Sequence, residues 1–160
     1  MDATFDVKNA VFNYRTAAVM IVNGHVLIHR QANDGHWALP GGRVKMMENS
    51  ASTVVREVKE ELGFDVKVDR LLWITENFFT YNERDFHEIG LYYSVSGVAE
   101  ELALRDGPFY GEEGDRLIYQ WVPLDELDDI VLYPEFLKES LKRIPEQPEH
   151  VVVRDIYDIK

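Results

Sequence analysis

Three carboxylates lie close together in the stretch REVKEELG, at residues 56–63. If this stretch is helical, Glu57, Glu60 and Glu61 stand at positions i, i+3 and i+4, so their side chains meet on one face. Like charges at this spacing destabilise a helix by roughly 0.2–0.5 kcal/mol per pair. Carboxylate oxygens are also the ligands that Mg²⁺ and Mn²⁺ prefer, and a bound cation turns the repulsion into shared attraction. The cluster is therefore either a solvated acidic surface or a metal-binding face.

The residues around the carboxylates follow a fixed spacing. Gly42 is followed by five residues and then Glu48, and seven residues later come Arg56 and Glu57, with Gly63 closing the stretch. Written out, the pattern is G-x5-E-x7-R-E-U-x-E-E-x-G-U, in which U is a bulky apolar residue. From average residue frequencies, a chance match at a given start is on the order of one in a billion. A match of this length is not expected by chance, so the carboxylates belong to a defined pattern.

This pattern resembles the box of the Nudix hydrolase family, and it fills residues 42–64 without a departure at any fixed position. Residues 37–42, WALPGG, resemble the family's approach to the box, and residues 121–127, WVPLDEL, resemble a later segment. The resemblance implies an α/β fold, the Nudix α/β/α sandwich with a mixed β-sheet, in which a loop–helix–loop box carries the metals.

The resemblance implies that Glu57, Glu60 and Glu61 are ligands of Mg²⁺ or Mn²⁺. The backbone carbonyl of Gly41 or Gly42 could add a ligand, because glycine lets the chain approach closely. Glu57 would also orient or deprotonate the attacking water, a role that varies within the family. Mg²⁺ completes its coordination shell with water and substrate phosphate oxygens, so the metals would receive the phosphates.

Three further residues of the box, Arg56, Glu48 and Gly63, would hold it in shape. By resemblance, Arg56 belongs with the catalytic residues and pairs with Glu48, holding the loop against the helix; the alternative is an exposed helix charge. Gly63 stands where a glycine ends a helix, and Asn49 or Ser50 could cap its beginning.

Outside the box, four side chains are candidates for contact with the substrate or the metals. Glu113, with Glu112 as second choice, lies on an acidic loop that in family members often supplies a further ligand or the general base. The alternative is a solvated loop. Arg30 could pair with a phosphate, and Trp37 could stack on a base or merely pack. Tyr81 belongs to an aromatic patch that could hold a nucleobase.

The carboxylates need a helix that is anchored on its other side. This helix is predicted to run from about residue 50 to Leu62. Ala51, Val55, Val58 and Leu62 recur at helical spacing and predict an apolar stripe that faces the core.

Strands are predicted around this helix, because β-rich runs precede and follow it. Asn23-Gly24 is a strong turn signal between the first two runs. The predicted segments are two strands within 14–30, strands at 66–79, 86–98 and 117–122, a loop over 100–116, a helix over 134–143, and a tail of unassigned role over 144–160. Strands interleaved with helices predict a mixed α/β domain that takes up residues 1–160.

The composition limits the partners. A net charge of −12 repels long nucleic acid and anionic membranes, whereas bound cations would still admit a small polyanionic substrate. No apolar run approaches the roughly 20 residues that span a bilayer, and MDATFDVKNA at the N-terminus lacks the features of a signal peptide. Cysteine is absent, which fits a cytoplasmic protein.

The resemblance implies a metal-dependent hydrolase that cleaves the pyrophosphate bond of a small nucleoside diphosphate linked to a group X, with water attacking phosphorus. One alternative is a hydrolase of capped RNA ends, which the negative charge disfavours. Another is a catalytically silent nucleotide-sensing module, which would be expected to have lost one of the three glutamates. Nudix proteins commonly form dimers, so a homodimer stays open. The box does not encode substrate identity, since specificity comes from loops and strand faces outside it.

Overall fold

The computed structural model of the protein describes residues 1–103 and 105–155 and contains two β-sheets with helices on both sides. The strands are β1 (Phe5–Val7), β2 (Ala10–Val19), β3 (Ile21–Val22), β4 (His25–Gln31), β5 (Gly41–Arg43), β6 (Lys67–Tyr81), β7 (Arg84–Ser96), β8 (Phe109–Tyr110), β9 (Leu117–Pro123) and β10 (Glu149–Asp155). The helices are α1 (Ser50–Leu62), α2 (Glu100–Ala103), a 3-10 helix (Leu124–Asp129) and α3 (Leu137–Ser140).

The larger sheet is mixed, as the sequence predicted. Its strand order is β1-β2-β7-β6-β10, and β5 pairs with β2 beside this path. The pairs β2–β7 and β6–β10 are parallel, whereas β1–β2, β2–β5 and β6–β7 are antiparallel. The smaller sheet, with order β3-β4-β9-β8, is antiparallel throughout.

Two clusters of buried side chains lie on opposite faces of β2. Ala17 and Val19 pack in one cluster with the 3-10 helix and α3, whereas Ala18 and Met20 pack in the other with α1. Alternate residues of a strand point to opposite faces, so a strand that is buried on both faces has a continuous apolar run, as residues 17–22 do. Helices therefore cover the sheets from two sides, which is the α/β/α arrangement that was predicted.

The helix α1 begins and ends where the sequence predicted. The Asn49 side chain accepts a hydrogen bond from the Ser52 N–H at 2.9 Å and caps the first turn. Gly63 has a φ of 83°, and its N–H donates to the Lys59 carbonyl, which closes the last turn in the left-handed conformation that glycine tolerates.

The buried face of α1 is rotated relative to the predicted apolar stripe. Val58 and Leu62 are buried as expected, but Val54 takes the place of Val55. Glu61 lies on the same face and is only 4% exposed. Apolar periodicity could not reveal this face, because one of its positions is a carboxylate.

The hairpin predicted at Asn23-Gly24 forms, but its first strand is not the one expected. Both turn residues have positive φ, 51° and 75°, and they connect the short β3 to β4. The long β2 instead pairs with β7 in the other sheet. The chain passes from one sheet to the other at Met20, a step that no local turn signal marks.

The later elements agree with the prediction in kind and differ in extent. Strands form at β6, β7 and β9, and the loop between β6 and β7 shrinks to the turn residues Asn82 and Glu83. The segment 100–116 is not all loop, since it contains α2 and β8. The helix expected over 134–143 is reduced to α3.

The tail contributes a strand to the larger sheet. Seven residues of β10 pair in parallel with β6, from Glu149 opposite Trp73 to Asp155 opposite Phe79. The rest of the tail, 156–160, lies outside the described residues. Within the part of the chain that the structure covers, no helix has both the length and the apolar character needed to cross a bilayer.

The close approach of β5 to β2 yields a stability prediction. A Cβ built on Gly41 would overlap the backbone carbonyl oxygen of Thr16, an atom that cannot move without disturbing the sheet. Gly41→Ala should therefore lower the free energy of unfolding by about 1–3 kcal/mol, measured by urea denaturation.

The matched control is Gly35→Ala, because a Cβ there meets nothing within 4 Å. This control should change the free energy of unfolding by less than about 0.5 kcal/mol. Equal effects of the two substitutions would contradict the close packing of β5 on β2.

Candidate functional site

A cleft of about 680 Å³ lies over one face of the larger sheet, beside α1 and β5. It brings together most of the side chains that the sequence singled out. These are Arg30, Gly42, Glu57, Glu60, Glu61, Tyr81 and Glu113. Arg56, Glu48, Gly63 and Trp37 are not part of its lining.

Arg56 ties the loop before α1 to the helix. Its Nε and Nη2 donate to the two oxygens of Glu48, at 2.8 and 3.0 Å, and Nη2 also donates to the Arg43 carbonyl at 3.1 Å. The Thr53 hydroxyl donates to the same carboxylate at 2.7 Å. The hydrogen bonds from Arg56, followed by that from Thr53, lower the pKa of Glu48 to about 2. Loop, strand and helix are thus joined through one guanidinium.

The same guanidinium also contacts two of the three clustered carboxylates. Its Nη1 donates to Glu57 Oε1 at 2.9 Å and to Glu60 Oε2 at 3.3 Å. Burial raises the pKa of Glu57, and the nearby charge of Arg56 opposes this rise. Arg56 therefore offsets part of the repulsion on the acidic face.

Glu61 is buried and has no cation in contact with it among the described residues. The Tyr119 hydroxyl donates to Glu61 Oε2 at 3.1 Å, and His29 Nδ1 lies 3.9 Å from the same oxygen. Burial lowers the pKa of His29 to about 3, so this ring is uncharged at neutral pH. Burial, followed by the charge of Glu57, raises the pKa of Glu61. A cation placed between Glu57 and Glu61 would stabilise both carboxylates.

The donor set fits a hard divalent cation in kind. Glu57, Glu60 and Glu61 offer only oxygen atoms, which suit Mg²⁺ and Mn²⁺. A Cβ built on Gly42 would overlap the Glu57 carboxylate, so the absence of a side chain is what lets the box strand lie against this ligand candidate. Across residues 1–103 and 105–155, no three acidic or histidine side chains already converge on a common point. Arg56 holds two of the carboxylates and Tyr119 holds the third.

Glu113 and Glu112, the two candidates on the acidic loop, have different surroundings. Glu113 lines the cleft, is 41% exposed and accepts a hydrogen bond from Arg116 Nη2 at 3.1 Å. The N–H of Glu112 donates to the Glu61 carbonyl at 2.7 Å, and its carboxylate lies against Gly63 at the helix end. Of these two residues, Glu113 lines the cleft that also contains the acidic cluster, and Glu112 does not.

Arg30 and Trp37, two of the candidates for substrate contact, are held by neighbouring groups. Arg30 donates to the backbone carbonyls of Gln31, Ala32 and Asp34, at 3.2 to 3.3 Å. Its guanidinium also lies 5.2 Å from the centre of the Trp37 ring, which packs against the buried core. These contacts orient Arg30 by its loop and give Trp37 a packing role.

Tyr81 lines the cleft and is hydrogen-bonded to Asp34 of a neighbouring loop. Its hydroxyl donates to Asp34 Oδ2 at 3.0 Å, and its ring meets that of His36 edge to face at 5.9 Å. Burial and the Asp34 carboxylate raise the pKa of Tyr81, so the phenol stays protonated at neutral pH.

Sequence reasoning missed the floor of the cleft, which strand register assembles. Asn13 stands opposite Glu88, and Glu88 stands opposite Asn77, so these three residues form a polar row across β2, β7 and β6. We call it the polar row. Its members are 4–6% exposed and all line the cleft. The available signal was weak, namely polar residues inside otherwise apolar strands.

Arg15 was missed for the same reason. Arg15 stands opposite Arg43 of β5 on one side and Gly90 of β7 on the other. It lies two residues nearer the box than Asn13 of the polar row, and both arginines line the cleft. Arg43 is 4.0 Å from Asp2, whereas Arg15 forms no ion pair with any carboxylate of the described residues. Arg15 is thus a cation available to an anion next to the acidic cluster.

Comparison of the sequence with known proteins identifies a matching family and several relatives. The family profile of the NUDIX domain matches residues 13–144. A MutT-like protein of Streptomyces ambofaciens is 42% identical over 55 residues, which are 34% of this chain and 36% of that protein. The 8-oxo-dGTP diphosphatase of Buchnera aphidicola subsp. Schizaphis graminum is 30% identical over 91 residues, 57% of this chain and 58% of that protein. The chain thus spans about a third of the first relative's length and under two thirds of the second's.

Two solved structures resemble the fold of this chain over most of its length. The MutT protein from Methanosarcina mazei Go1 superposes with a TM-score of 0.62 and 22% identity, over 82% of this chain and 91% of that one. An ADP-ribose pyrophosphatase from Streptococcus suis 89-1591 gives a TM-score of 0.55 and 22% identity, over 88% and 98% of the two chains. At this level of identity, the likeness establishes the fold.

The Arg56–Glu48 ion pair yields a prediction for stability and its pH dependence. The folded-state pKa of Glu48, about 2, lies below its ordinary value of 4.5. The pair therefore stabilises the fold above pH 4.5, and this contribution is lost as the pH falls toward 2. Glu48→Gln should lower the free energy of unfolding by about 1–3 kcal/mol at pH 7, and the difference from wild type should shrink in acid.

Urea denaturation at a series of pH values measures this difference. Glu139→Gln is the control, because its carboxylate is 81% exposed and pairs with Lys142 at 3.5 Å on the surface. It should cause little change at any pH. A Glu48→Gln protein as stable as wild type at pH 7 would show that the pair does not hold the loop.

Proposed function

The chain belongs to the Nudix hydrolase family, and on this premise we propose that it cleaves the pyrophosphate bond of a small nucleoside diphosphate derivative in a reaction that depends on Mg²⁺ or Mn²⁺. The observation that carries the proposal is the meeting of Glu57, Glu60 and Glu61 in one cleft with Arg15, which forms no ion pair within the described part of the chain. An acidic cleft accepts a polyanion only with cations present. Metal ions held by the three carboxylates, together with the guanidinium of Arg15, would supply that positive charge.

Glu57, Glu60 and Glu61 would hold the metal, with the carbonyl of Gly41 or Gly42 as a further ligand. When bound, the metal would polarise phosphoryl oxygens and lower the pKa of a water molecule. Glu61 is fixed by Tyr119, and Glu57 is fixed by Arg56. Small rotations of the Glu60 side chain would complete the site, since it is 49% exposed and Arg56 contacts it at 3.3 and 3.4 Å.

The remaining steps fall to side chains of this chain. Water attacks one phosphorus of the diphosphate, its proton passes to a carboxylate, and the bond to the bridging oxygen breaks, leaving two phosphorylated products. Glu57 is our choice for the proton acceptor, because it lines the cleft and its carboxylate is held in place by Arg56 at 2.9 Å. Arg15 would neutralise the leaving phosphate, as a guanidinium does in a paired geometry.

The identity of the nucleotide is a separate question. The names of the similar proteins include both a ribonucleotide, ADP-ribose, and a deoxynucleotide, 8-oxo-dGTP. Incubating the protein with Mg²⁺ or Mn²⁺ and a panel of nucleoside triphosphates, nucleotide sugars, ADP-ribose and dinucleoside polyphosphates, followed by mass analysis, tests the proposal. Cleavage inside a diphosphate that stops on addition of EDTA supports it. Cleavage that persists after full chelation, or none in the whole panel, contradicts it.

The acidic face yields a prediction for turnover. Glu57→Gln and Glu60→Gln each remove a ligand charge while keeping side-chain size, so kcat should fall about 10²–10⁴-fold, with Glu57→Gln the more severe. The control is Glu126→Gln, an exposed residue of the 3-10 helix, which should keep wild-type rates. Steady-state kinetics, together with circular dichroism to verify folding, measure the effect. Near-normal rates in both cleft variants would refute the ligand assignment.

Glu113 yields a milder prediction. Its exposed carboxylate lines the same cleft as the acidic cluster and pairs with Arg116, so it would assist rather than hold the metal. Glu113→Gln should lower kcat about 3- to 30-fold without changing the free energy of unfolding. An unchanged kcat would assign Glu113 to the solvated surface.

A further inference from the structure

The polar row is a rigid, built feature of the cleft floor. Asn13 Nδ2 donates to Glu88 Oε2 at 2.7 Å, and the Thr4 hydroxyl donates to Asn13 Oδ1 at 3.0 Å. These contacts fix the Asn13 amide and one oxygen of Glu88. The remaining hydrogen-bond acceptors of the polar row, which a ligand could use, are thereby held in position by buried groups.

Two acceptors of the polar row are left without partners. Asn77 Oδ1 is buried and has no hydrogen-bond partner among the described residues. Glu88 Oε1 also has no hydrogen-bond partner in the described part of the chain, and it points along β7 toward Gly90. A buried acceptor without a hydrogen-bond partner costs free energy, and a ligand that donates a hydrogen bond to it removes this cost.

The charge of Glu88 restricts what that ligand group can be. A carboxylate that is 6% exposed would repel a phosphate placed against it. The group at the polar row must therefore be an uncharged donor that belongs to the non-phosphate part of the substrate. Neighbouring hydroxyls and N–H groups are the donors available in a nucleotide.

The order of the rows along the sheet favours hydroxyls. The Arg15–Gly90 pair lies two residues from the polar row, a distance of about 6.7 Å along a strand. Two residues further, Phe86 stands opposite Phe79, and their rings stack with centroids 4.9 Å apart. Along the sheet, the guanidinium comes first, then the polar acceptors, then the aromatic rings. The phosphate, sugar and base of a nucleotide follow one another in the same order.

We propose that Glu88 and Asn77 accept hydrogen bonds from the vicinal 2′- and 3′-hydroxyls of a ribose, which makes this protein selective for ribonucleotides over 2′-deoxyribonucleotides. This inference rests on the proposed function and extends that function by naming the substrate class. Glu88 Oε1 accepts from one hydroxyl and Asn77 Oδ1 from the other. A deoxyribose leaves a buried acceptor unpaired, which is the situation in which binding sites discriminate most strongly.

Titration calorimetry with matched nucleotide pairs tests this assignment without relying on turnover. The ligands are ADP, GDP and their 2′-deoxy forms, with Mg²⁺ present and the nucleotides verified as intact by mass. Wild-type protein should bind each ribonucleotide at least about 10-fold more tightly than its deoxy form. Glu88→Gln, which keeps the contact with Asn13 as an acceptor, should reduce this ratio to below about 3.

Two further variants control the experiment. Asn77→Ala should also reduce the ratio, and it serves if the Glu88→Gln substitution lowers the unfolding temperature. Glu76→Gln lies on the next residue of β6, where its carboxylate contacts His150 at 2.7 Å outside the cleft lining, and it should keep the wild-type ratio.

The outcomes distinguish this inference from the proposed function. A ribo-to-deoxy ratio near one in wild type, or no measurable binding of either form, overturns the diol assignment even if a diphosphate is cleaved. A Glu88→Gln variant that changes the preference between ADP and GDP, with the ribo-to-deoxy ratio intact, would show that the carboxylate contacts the base and would also overturn it. A strong ratio in a protein that cleaves nothing would leave the diol site standing and reject the proposed function.

Discussion

The contacts of a single guanidinium, that of Arg56, hold the candidate site together. Glu48 anchors it to the loop, the Arg43 carbonyl anchors it to β5, and Glu57 and Glu60 meet it on the helix. Carboxylates that would otherwise repel one another are thereby kept close. The arrangement of the acidic cluster, and with it the chemistry that we propose, depends on this cation remaining in place.

Strand register is the second constraint, because it decides which distant residues become neighbours on the cleft floor. Pairing of β2, β7 and β6 places Asn13, Glu88 and Asn77 side by side although they are far apart in the chain. A shift of one residue would turn these side chains to the opposite face of the sheet. In our proposal, the box supplies the phosphate chemistry, and the strand register supplies the surface that contacts the rest of the substrate.

The sequence predicted the local features well, since each depends on residues close together in the chain. Asn49 and Gly63 cap α1 as expected, and Arg56 contacts Glu48 across a loop whose length the spacing defines. Features that depend on long-range pairing were not predictable. One example is the pairing of β2 with β7 in the larger sheet, since no residue near Met20 specifies that partner. Another is the strand formed by the tail, since residues 149–155 do not specify that they pair with β6.

Crystals soaked in Mn²⁺ provide the most direct measurement of the central claim, because anomalous scattering locates the ion without any assumption about substrate. The account predicts a peak in the cleft, with oxygens of Glu57 and at least one of Glu60 and Glu61 at about 2.0–2.3 Å. A fully soaked crystal with no peak there, or with the ion bound away from α1, would contradict the claim that these three carboxylates form a metal-binding face.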